Sequence, residues 1–319
     1  MPLIAYSSPF VPPEWIVAHG LTPCRLTPGA SDHRATVTGT CPYAMAFLSA
    51  AQAAGADGAV FCTTCDQMRR MPEQLREGAT PRPFLLNVAH TWQTPAALSL
   101  YRDELGRLGR FLVRLGGVPP SDARLADVMA NYEARRRSLR ARLGVLGGRA
   151  AAEAMIRFHR AGAIANPAPC PPVAGIPIAL LGGPLPAEAL GLLDLVEARG
   201  GTVVLDGTEG GERGLPPPFD QRRLREAPFA ELAATYFTGI PDIFQRPNSR
   251  LFTWLKKEIV RSGARGIVLV RHLWCDLWHA EAARLREWLA LPFADILLDG
   301  TPPSAHAASR LEALLEALR

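Results

Sequence analysis

Four cysteines stand where their thiols could act together. Cys62 and Cys65 form a C-x-x-C pair at the end of the apolar stretch "GAVFC", and Cys275 follows the apolar stretch "GIVLV" more than 200 residues later. Cys41 begins an alanine-rich segment with a helical pattern. An aspartate follows Cys65 and another follows Cys275. Because thiolates bind zinc and iron–sulfur clusters, a metal site is the first hypothesis for these residues.

The residue types alone leave several kinds of thiol chemistry open. Four thiolates suit Zn²⁺ and an iron–sulfur cluster equally well. A zinc ribbon needs a second cysteine pair at short distance, and the sequence has none. A thioredoxin-type redox pair opens a helix, which "CTTCDQMRRMPEQ" allows. The wide separation of the cysteines favours a cluster, since structural zinc usually ties short local segments together.

Each cysteine also has a plainer interpretation as a small buried apolar residue. We expect that role for Cys24 and Cys170. Cys62 stays open between a ligand and a core residue, because its place within the apolar stretch could point it inward.

Several neighbours of the cysteines are candidate site residues. Asp66 and Asp276 are expected to cap the helices that follow them, with orientation of the site as the alternative. His272 could donate a hydrogen bond to a cluster sulfur or a bound carbonyl, or be satisfied in the core. His279, four residues after Cys275, is the best extra ligand for zinc.

A second group of candidates lies farther from the cysteines in sequence. Glu209 and Arg213 belong to the loop "DGTEGGERG", where they could bind a substrate or a partner or be ordinary polar loop residues. Three of the six tryptophans could shield a metal centre from water, namely Trp15, Trp274 and Trp278.

The elements that must position these residues alternate between strand and helix patterns. Apolar strands separated by helices predict parallel sheets covered on both faces, hence an α/β fold. The alternation runs through 1–120, gives way to helical and proline-rich sequence over 121–170, and resumes over 171–319. We therefore predict two doubly wound domains joined by helices, with a linker at 166–177. Ligands of such sheets bind beyond the carboxyl ends of the strands, where Cys62, Cys65 and Cys275 fall.

Composition and charge exclude several classes of protein. Hydrophobic residues make up 48% and charged residues 20% of the 319-residue chain, which is typical of a globular protein. The net charge of +5 comes largely from the arginine-rich stretch 132–144, which we expect to be a solvated helix face. No nucleic-acid-binding motif accompanies it. The start of the chain lacks a signal-peptide pattern, and no apolar run reaches the ~18 residues of a membrane span, so we expect a cytoplasmic protein.

The ordered set of motifs resembles the 2-hydroxyacyl-CoA dehydratase family, which includes benzoyl-CoA reductase subunits and double-cubane cluster proteins. The matching stretches run through nearly the whole chain. They are "VPPEWIVAHGLTPCRL", "CPYAMAFL", "DGAVFCTTCDQMRR", "LYRDELGRL", "IPIALLGGPL", "LVEARGGTVVLDGTEGGERG", "GIVLVRHLWCDLWHAEAARLRE" and "SRLEALLEAL".

The resemblance implies two flavodoxin-like (Rossmann-like) domains that hold a [4Fe-4S] cluster in the cleft between them. The family's three cluster cysteines carry over to Cys41, Cys65 and Cys275. It also implies an acyl-CoA substrate, a related second subunit in a heterodimer or a homodimer, and an ATP-dependent activator. That activator would supply one low-potential electron for radical dehydration.

The chain departs from the family pattern in ways that leave its reaction open. It is shorter than typical members, mainly in the loops that cover the substrate. The stretch "TYFTGIPDIFQRPNSR" lacks the cysteine that several members have in this region, and "GTEGGERG" lacks the usual cysteine of the second domain beside its acidic residue. A double-cubane cluster would need more thiolates than these. The alternatives to a dehydratase are a reductase of aryl-CoA or small molecules, and a non-catalytic electron-relay subunit with Cys62 as a fourth ligand. A structural zinc protein is a more distant alternative.

Overall fold

The fold is an α/β architecture with two four-stranded sheets, each wholly parallel. The computed structural model describes residues 1–29, 39–75, 78–162 and 174–319. Strand order is second, first, third, fourth in both sheets, as in flavodoxin-like folds. The expected pair of α/β units is confirmed by this topology.

The strands of each sheet come from one half of the chain. The first sheet contains β1 (Leu3–Tyr6), β2 (Thr22–Arg25), β3 (Gly58–Cys62) and β4 (Arg82–Leu86). The second contains β5 (Ile176–Gly182), β6 (Gly201–Gly207), β7 (Gly266–His272) and β8 (Phe293–Leu298). Strands β1 and β3 are central in the first sheet, and β5 and β7 are central in the second.

Twelve α-helices are assigned in the described residues, and they connect and cover the strands. Those in the first half are α1 (Pro13–Ala18), α2 (Pro42–Ala53), α3 (Asp66–Arg70), α4 (Pro95–Arg114), α5 (Asp122–Leu143) and α6 (Gly148–Ala161). Those in the second half are α7 (Gly191–Ala198), α8 (Gln221–Glu226), α9 (Pro228–Gly239), α10 (Ser249–Ser262), α11 (Asp276–Leu289) and α12 (Ala305–Glu316). None of these helices is long and apolar enough to cross a membrane.

Local sequence signals explain where the long helices begin and end. Thr94 caps α4 by accepting a hydrogen bond from the Ala97 N–H at 3.2 Å, and Pro95 occupies the first helical position. Ser121 caps α5 in the same way. Gly263 ends α10 in the left-handed conformation, which glycine adopts without steric cost.

The core of the first sheet draws on both halves of the chain. The Tyr101 ring of α4 stacks on Phe237 of α9 with centroids 5.3 Å apart, and Phe10 meets Phe244 edge-on at 5.2 Å. Residues 215–244 therefore complete a core that begins with β1. The sequence-based boundaries at 120 and 170 stay a prediction, and they place this segment with the other half of the chain.

Most predicted elements are found, with instructive differences. Strand β2 was not predicted, because it is short and contains Pro23. Residues 166–173 of the predicted linker lie outside the described residues, and its last two positions, Ile176 and Pro177, begin β5. The expected solvated face of α5 is wrong for Arg136, whose side chain is 1% exposed and ion-paired to Glu14.

Candidate metal centre

One cavity lies where the carboxyl ends of the central strands of both sheets come together. Its lining includes Ser7 and Ser8 after β1, Cys62 and Cys65 at the end of β3, Pro184 after β5, and Cys275 after β7. The cavity volume is about 70 Å³. Cys41 also lines it, so the cavity brings together all four cysteines that the sequence singled out.

Three of these cysteines occupy the same local position, the N-cap of a helix. Cys41 precedes α2, Cys65 precedes α3, and Cys275 precedes α11. In each case the backbone N–H three positions later lowers the pKa of the thiol, although no cap hydrogen bond of standard geometry forms. The positive ends of three helices therefore surround the same cavity, where they favour negative charge on sulfur.

Burial outweighs the helix ends and keeps the thiols protonated at neutral pH. It raises the pKa of Cys65 to about 12 and that of Cys275 to about 11, and it raises the pKa of Cys41 as well. Negative charge on Cys41 or Cys275 raises the pKa of Cys65 further, so the three thiols are close enough to interact electrostatically. Bare thiolates are disfavoured here, whereas a bound cation would offset their charge.

Cys62 lines the same cavity from inside β3. Its side chain is 2% exposed, and burial raises its pKa to about 12, although a hydrogen bond from Ser8 opposes the rise. A redox-active C-x-x-C pair has at least one thiol of lowered pKa, whereas Cys62 and Cys65 both shift upward. The thioredoxin-type interpretation is therefore not supported.

Acidic side chains of the second half form another part of the wall. Burial raises the pKa of Glu209 to about 7, and the nearby charge of Asp242 adds to the effect. Arg25, from β2, reaches across to donate to the Glu209 backbone oxygen at 2.9 Å and to the Ser7 oxygen at 2.6 Å. One arginine thus links the first sheet to the loop that carries Glu209.

His272 closes the second-half side of the cavity at the end of β7. Its Nε2 lies 2.7 Å from the Pro184 oxygen, and its ring centroid lies 5.2 Å from that of Tyr43. Burial lowers the pKa of the ring to about 4, so it is neutral at physiological pH. Because a carbonyl only accepts, Nε2 carries the proton, and Nδ1 cannot donate to a cluster sulfur or a carbonyl as the sequence suggested.

Two of the three candidate tryptophans lie at the cavity. Trp278 is 2% exposed, and Trp274 is 50% exposed with a left-handed backbone at φ 67°. Trp15 lies elsewhere: its indole N–H donates to the Leu105 oxygen at 2.9 Å, so it does not shield this site.

Other sequence-based assignments are corrected by the structure. Asp66 and Asp276 are the first residues of their helices, and the cysteines before them hold the N-cap positions. His279 is exposed and does not line the cavity. Arg213 is wholly buried, where it donates to Asp242 at 2.6 Å and to backbone oxygens, so it is a structural residue.

The structure does not place the other two cysteines at the cavity. Cys24 is buried in β2, away from the cavity lining, and Cys170 lies outside the described residues. Within the described ranges, no three His, Cys, Asp or Glu side chains are grouped so as to hold a metal ion.

Sequence reasoning missed several residues of the wall. Ser8, Tyr43 and Asp242 line the cavity, and Arg25 supports it from behind. Tyr43 had one usable signal, its place two residues after Cys41 in the same helix start. Asp242 had none, because it reaches the site from the connection between α9 and α10.

Comparison with known proteins adds a family to this geometry. A family model described as 2-hydroxyglutaryl-CoA dehydratase, D-component, matches residues 9–146 and 161–318. These two stretches span almost the entire chain and include every cysteine that lines the cavity. None of the proteins with curated descriptions matches the chain.

Proposed function

The chain belongs to the 2-hydroxyglutaryl-CoA dehydratase D-component family, and from this we propose that it is the iron–sulfur subunit of a 2-hydroxyacyl-CoA dehydratase. One observation supports the proposal above others. Cys41, Cys65 and Cys275 each cap a helix, come from both halves of the chain and line one cavity.

The donor set suits a [4Fe-4S] cluster. A single tetrahedral zinc ion draws its sulfur ligands to about 3.8 Å from one another, given zinc–sulfur bonds of about 2.3 Å. The cysteine sulfurs that bind a [4Fe-4S] cluster lie farther apart, because each binds a different iron. When bound, the cluster would supply one-electron transfer at low potential to a thioester, the chemistry on which radical dehydration depends.

The protein's own residues would provide three things to that chemistry. Cys41, Cys65 and Cys275 would hold the cluster as thiolates, helped by the helix N–H groups near each sulfur. Trp278 and the His272 ring would keep water out on the second-half side. Glu209 would offer a carboxyl group in the wall of the cavity.

The proposal includes partners that follow from the family. A D-component implies a multi-subunit enzyme, so we propose a related second subunit or a second copy of this chain. The substrate would be an acyl-CoA, and an ATP-dependent activator protein would deliver the electron.

A second function is favoured by the position of Cys62. Because Cys62 lines the same cavity as the three N-cap cysteines, it could supply a fourth thiolate. A fully ligated cluster would pass electrons without binding substrate, and the chain would then be a relay subunit. A reductase acting on aryl-CoA or on a small molecule is the alternative that keeps an open iron.

The ligand assignment is tested by iron and sulfide analysis after anaerobic purification. We expect alanine variants of Cys41, Cys65 and Cys275 to lose most of their iron, while Cys24→Ala, a buried cysteine away from the cavity, keeps it. EPR spectra after reduction would identify the cluster type. Full iron and sulfide in Cys275→Ala would refute the assignment.

A Cys62→Ala variant separates the two functions. If the chain is a dehydratase subunit, the Cys62→Ala variant should retain iron and dehydrate a 2-hydroxyacyl-CoA when activator, ATP and reductant are added. If the chain is an electron-relay subunit, the variant should have an altered cluster spectrum, and the wild-type protein should show no dehydratase activity. Assays with an aryl-CoA under the same conditions would detect the reductase.

A further inference from the structure

A groove on the outer surface of the second half lies between α10 and α11. Its volume is about 550 Å³, within the range of sites for small molecules. It is lined by Lys256 and Lys257 of α10, by Arg284 of α11, and by the aromatic side chains of Phe252 and Trp288. Among the residues that the structure describes, no carboxylate lines this α10–α11 groove, which therefore presents positive charge and aromatic surface to a ligand.

The sequence concentrates its lysines in this groove. Lys256 and Lys257 are the only lysines among the 35 lysine and arginine residues of the chain, and both are exposed. Lys257 lies 3.8 Å from the Glu258 carboxylate, a surface pair of the kind that contributes little and that a ligand can displace. A lysine ammonium is a compact charge with three rotatable donors, which suits the oxygens of a phosphate. The two lysines are therefore available to an anionic ligand.

Contacts with Phe252 hold the aromatic and cationic side chains of the groove in place. The Trp288 ring meets Phe252 edge-on with centroids 4.8 Å apart, and the guanidinium of Arg284 lies 4.5 Å from the centre of the Phe252 ring. Trp288 nevertheless remains 40% exposed. A positioned and exposed tryptophan beside cations is an arrangement on which the base of a nucleotide can stack.

A row of contacts along α11 leads from the cavity to this groove. Leu277, in the first turn of the helix, lines the cavity. One turn later the Glu281 carboxylate lies 3.8 Å from the Arg246 guanidinium, and in the next turn Arg284 donates to the Asn248 side chain at 3.2 Å. Leu277, Glu281 and Arg284 share one face of the helix, and the rise from the first to the last is about 10 Å.

Coenzyme A has the two features that this layout requires. Its thiol or thioester end carries no charge, and its other end is an adenosine diphosphate with an additional 3′-phosphate. A phosphate monoester carries about −1.5 to −2 charges at pH 7, and the diphosphate adds to it. The arm between the sulfur and the diphosphate has about the length of four extended residues, hence about 14 Å, so one molecule can reach from the cavity to the groove.

We propose that the α10–α11 groove binds the 3′-phosphoadenosine diphosphate end of coenzyme A, with the adenine on Trp288 and the phosphates on the three cations. The placement of the acyl end in the cavity rests on the proposed function. Binding of the nucleotide end depends on the groove alone and requires neither the cluster nor turnover.

The experiment measures binding to the full chain by isothermal titration calorimetry, without activator or reductant. The probes are coenzyme A, dephospho-coenzyme A, ATP and pyrophosphate. We expect coenzyme A to bind most tightly and loss of the 3′-phosphate to weaken binding roughly 10- to 100-fold, the range for hydrogen bonds between charged groups. Binding of ATP or pyrophosphate as tight as that of coenzyme A would indicate a non-specific anionic surface and overturn the assignment.

A double variant tests the cations of the groove. Lys256→Gln with Lys257→Gln removes two exposed charges, and Arg102→Gln with Arg110→Gln removes two exposed charges from α4 as the matched control. The lysine variant should bind coenzyme A at least tenfold more weakly and lose most of the preference for the 3′-phosphate. The control should keep the affinity and the preference of the wild type.

Trp288→Leu tests the stacking of the base. Leucine retains an apolar side chain against Phe252 and has no ring face. We expect coenzyme A and dephospho-coenzyme A to bind roughly tenfold more weakly, with the ratio between them unchanged. Unchanged affinities would contradict the assignment of the adenine to Trp288.

The outcomes distinguish this inference from the proposed function. Equal affinities of the wild type and the double lysine variant for coenzyme A, or no binding to the wild type, would overturn the groove assignment even if iron and dehydration are found. Coenzyme A binding that depends on the groove, in a protein without iron and without dehydration, would support the groove assignment and overturn the proposed function.

Discussion

Replacing Glu14 by glutamine should destabilise the protein, because Glu14 is a wholly buried carboxylate with two strong partners. Arg136 donates to Oε1, and the Tyr236 hydroxyl donates to Oε2 at 2.7 Å. Glu14 is 0% exposed and Arg136 is 1% exposed. These contacts join α1, α5 and α9, and thus hold together parts of the chain that are far apart in sequence.

The size of the expected loss in the free energy of unfolding follows from the contacts that remain after Glu14→Gln. Removing one member of a buried ion pair typically costs about 3–5 kcal/mol, because the other charge is left uncompensated. Glu133 remains near Arg136 at 3.5 Å, and the glutamine amide preserves much of the shape of the site. We therefore expect a loss near the lower end of that range, about 3 kcal/mol, which is roughly a 150-fold change in the folding equilibrium.

The assay is urea unfolding followed by circular dichroism at pH 7, and the control is an exposed ion pair. Arg222 and Glu226 lie 2.9 Å apart with side chains 80% and 59% exposed, so Glu226→Gln should cost less than about 1 kcal/mol. If Glu14→Gln and Glu226→Gln destabilised the protein equally, the importance given to the buried network would be refuted.

Two further predictions concern stability. Burial and the neighbouring Arg25 hold the pKa of His159 well below its usual value of 6.5, so below that pH the unfolded chain binds a proton that the folded chain does not. The wild type should therefore lose stability relative to His159→Gln between pH 7 and pH 5.5, by up to about 1.4 kcal/mol per pH unit, and parallel pH profiles of urea unfolding would contradict this. Gly182→Ala should prevent folding of the second sheet, because φ at this position is 134° and an added Cβ would lie 1.8 Å from the Val270 oxygen. The matched control is Gly210→Ala, since no atom lies within 4 Å of a Cβ added there. A Gly182→Ala protein that is soluble and unfolds cooperatively would refute this prediction.

The sequence predicts much of the fold because the strands and their turns carry local signals. The stretch that becomes β3 is buried at every position, as its continuous apolar run indicates. The glycine and proline residues between segments mark most ends of strands and helices. Parallel topology places Cys65 and Cys275 each beyond the carboxyl edge of its own sheet. That the two edges meet at one cavity depends on how the two halves of the chain pack.

The features of the fold and of the site that the sequence does not predict depend on contacts between distant segments. Arg136 lies in a run of arginines that looks solvated, and its burial depends on Glu14, more than 100 residues earlier. The exposure of His279 and the lack of a hydrogen-bond partner for Nδ1 of His272 depend on how α11 and the 183–184 backbone are placed. The hydrophobic periodicity of the sequence does not predict such contacts.

The two sheets share one strand order, but they contribute unequally to the cavity. The first half brings Cys41, Cys62 and Cys65, and the second half brings Cys275 with His272 and Glu209. A dimer of two first halves would have two copies of these three cysteines and would lack His272 and Glu209. A dimer of two second halves would have only one of these cysteines, Cys275, from each copy. The site is therefore a property of two dissimilar units fused in one polypeptide, and no symmetrical assembly of either unit can reproduce it.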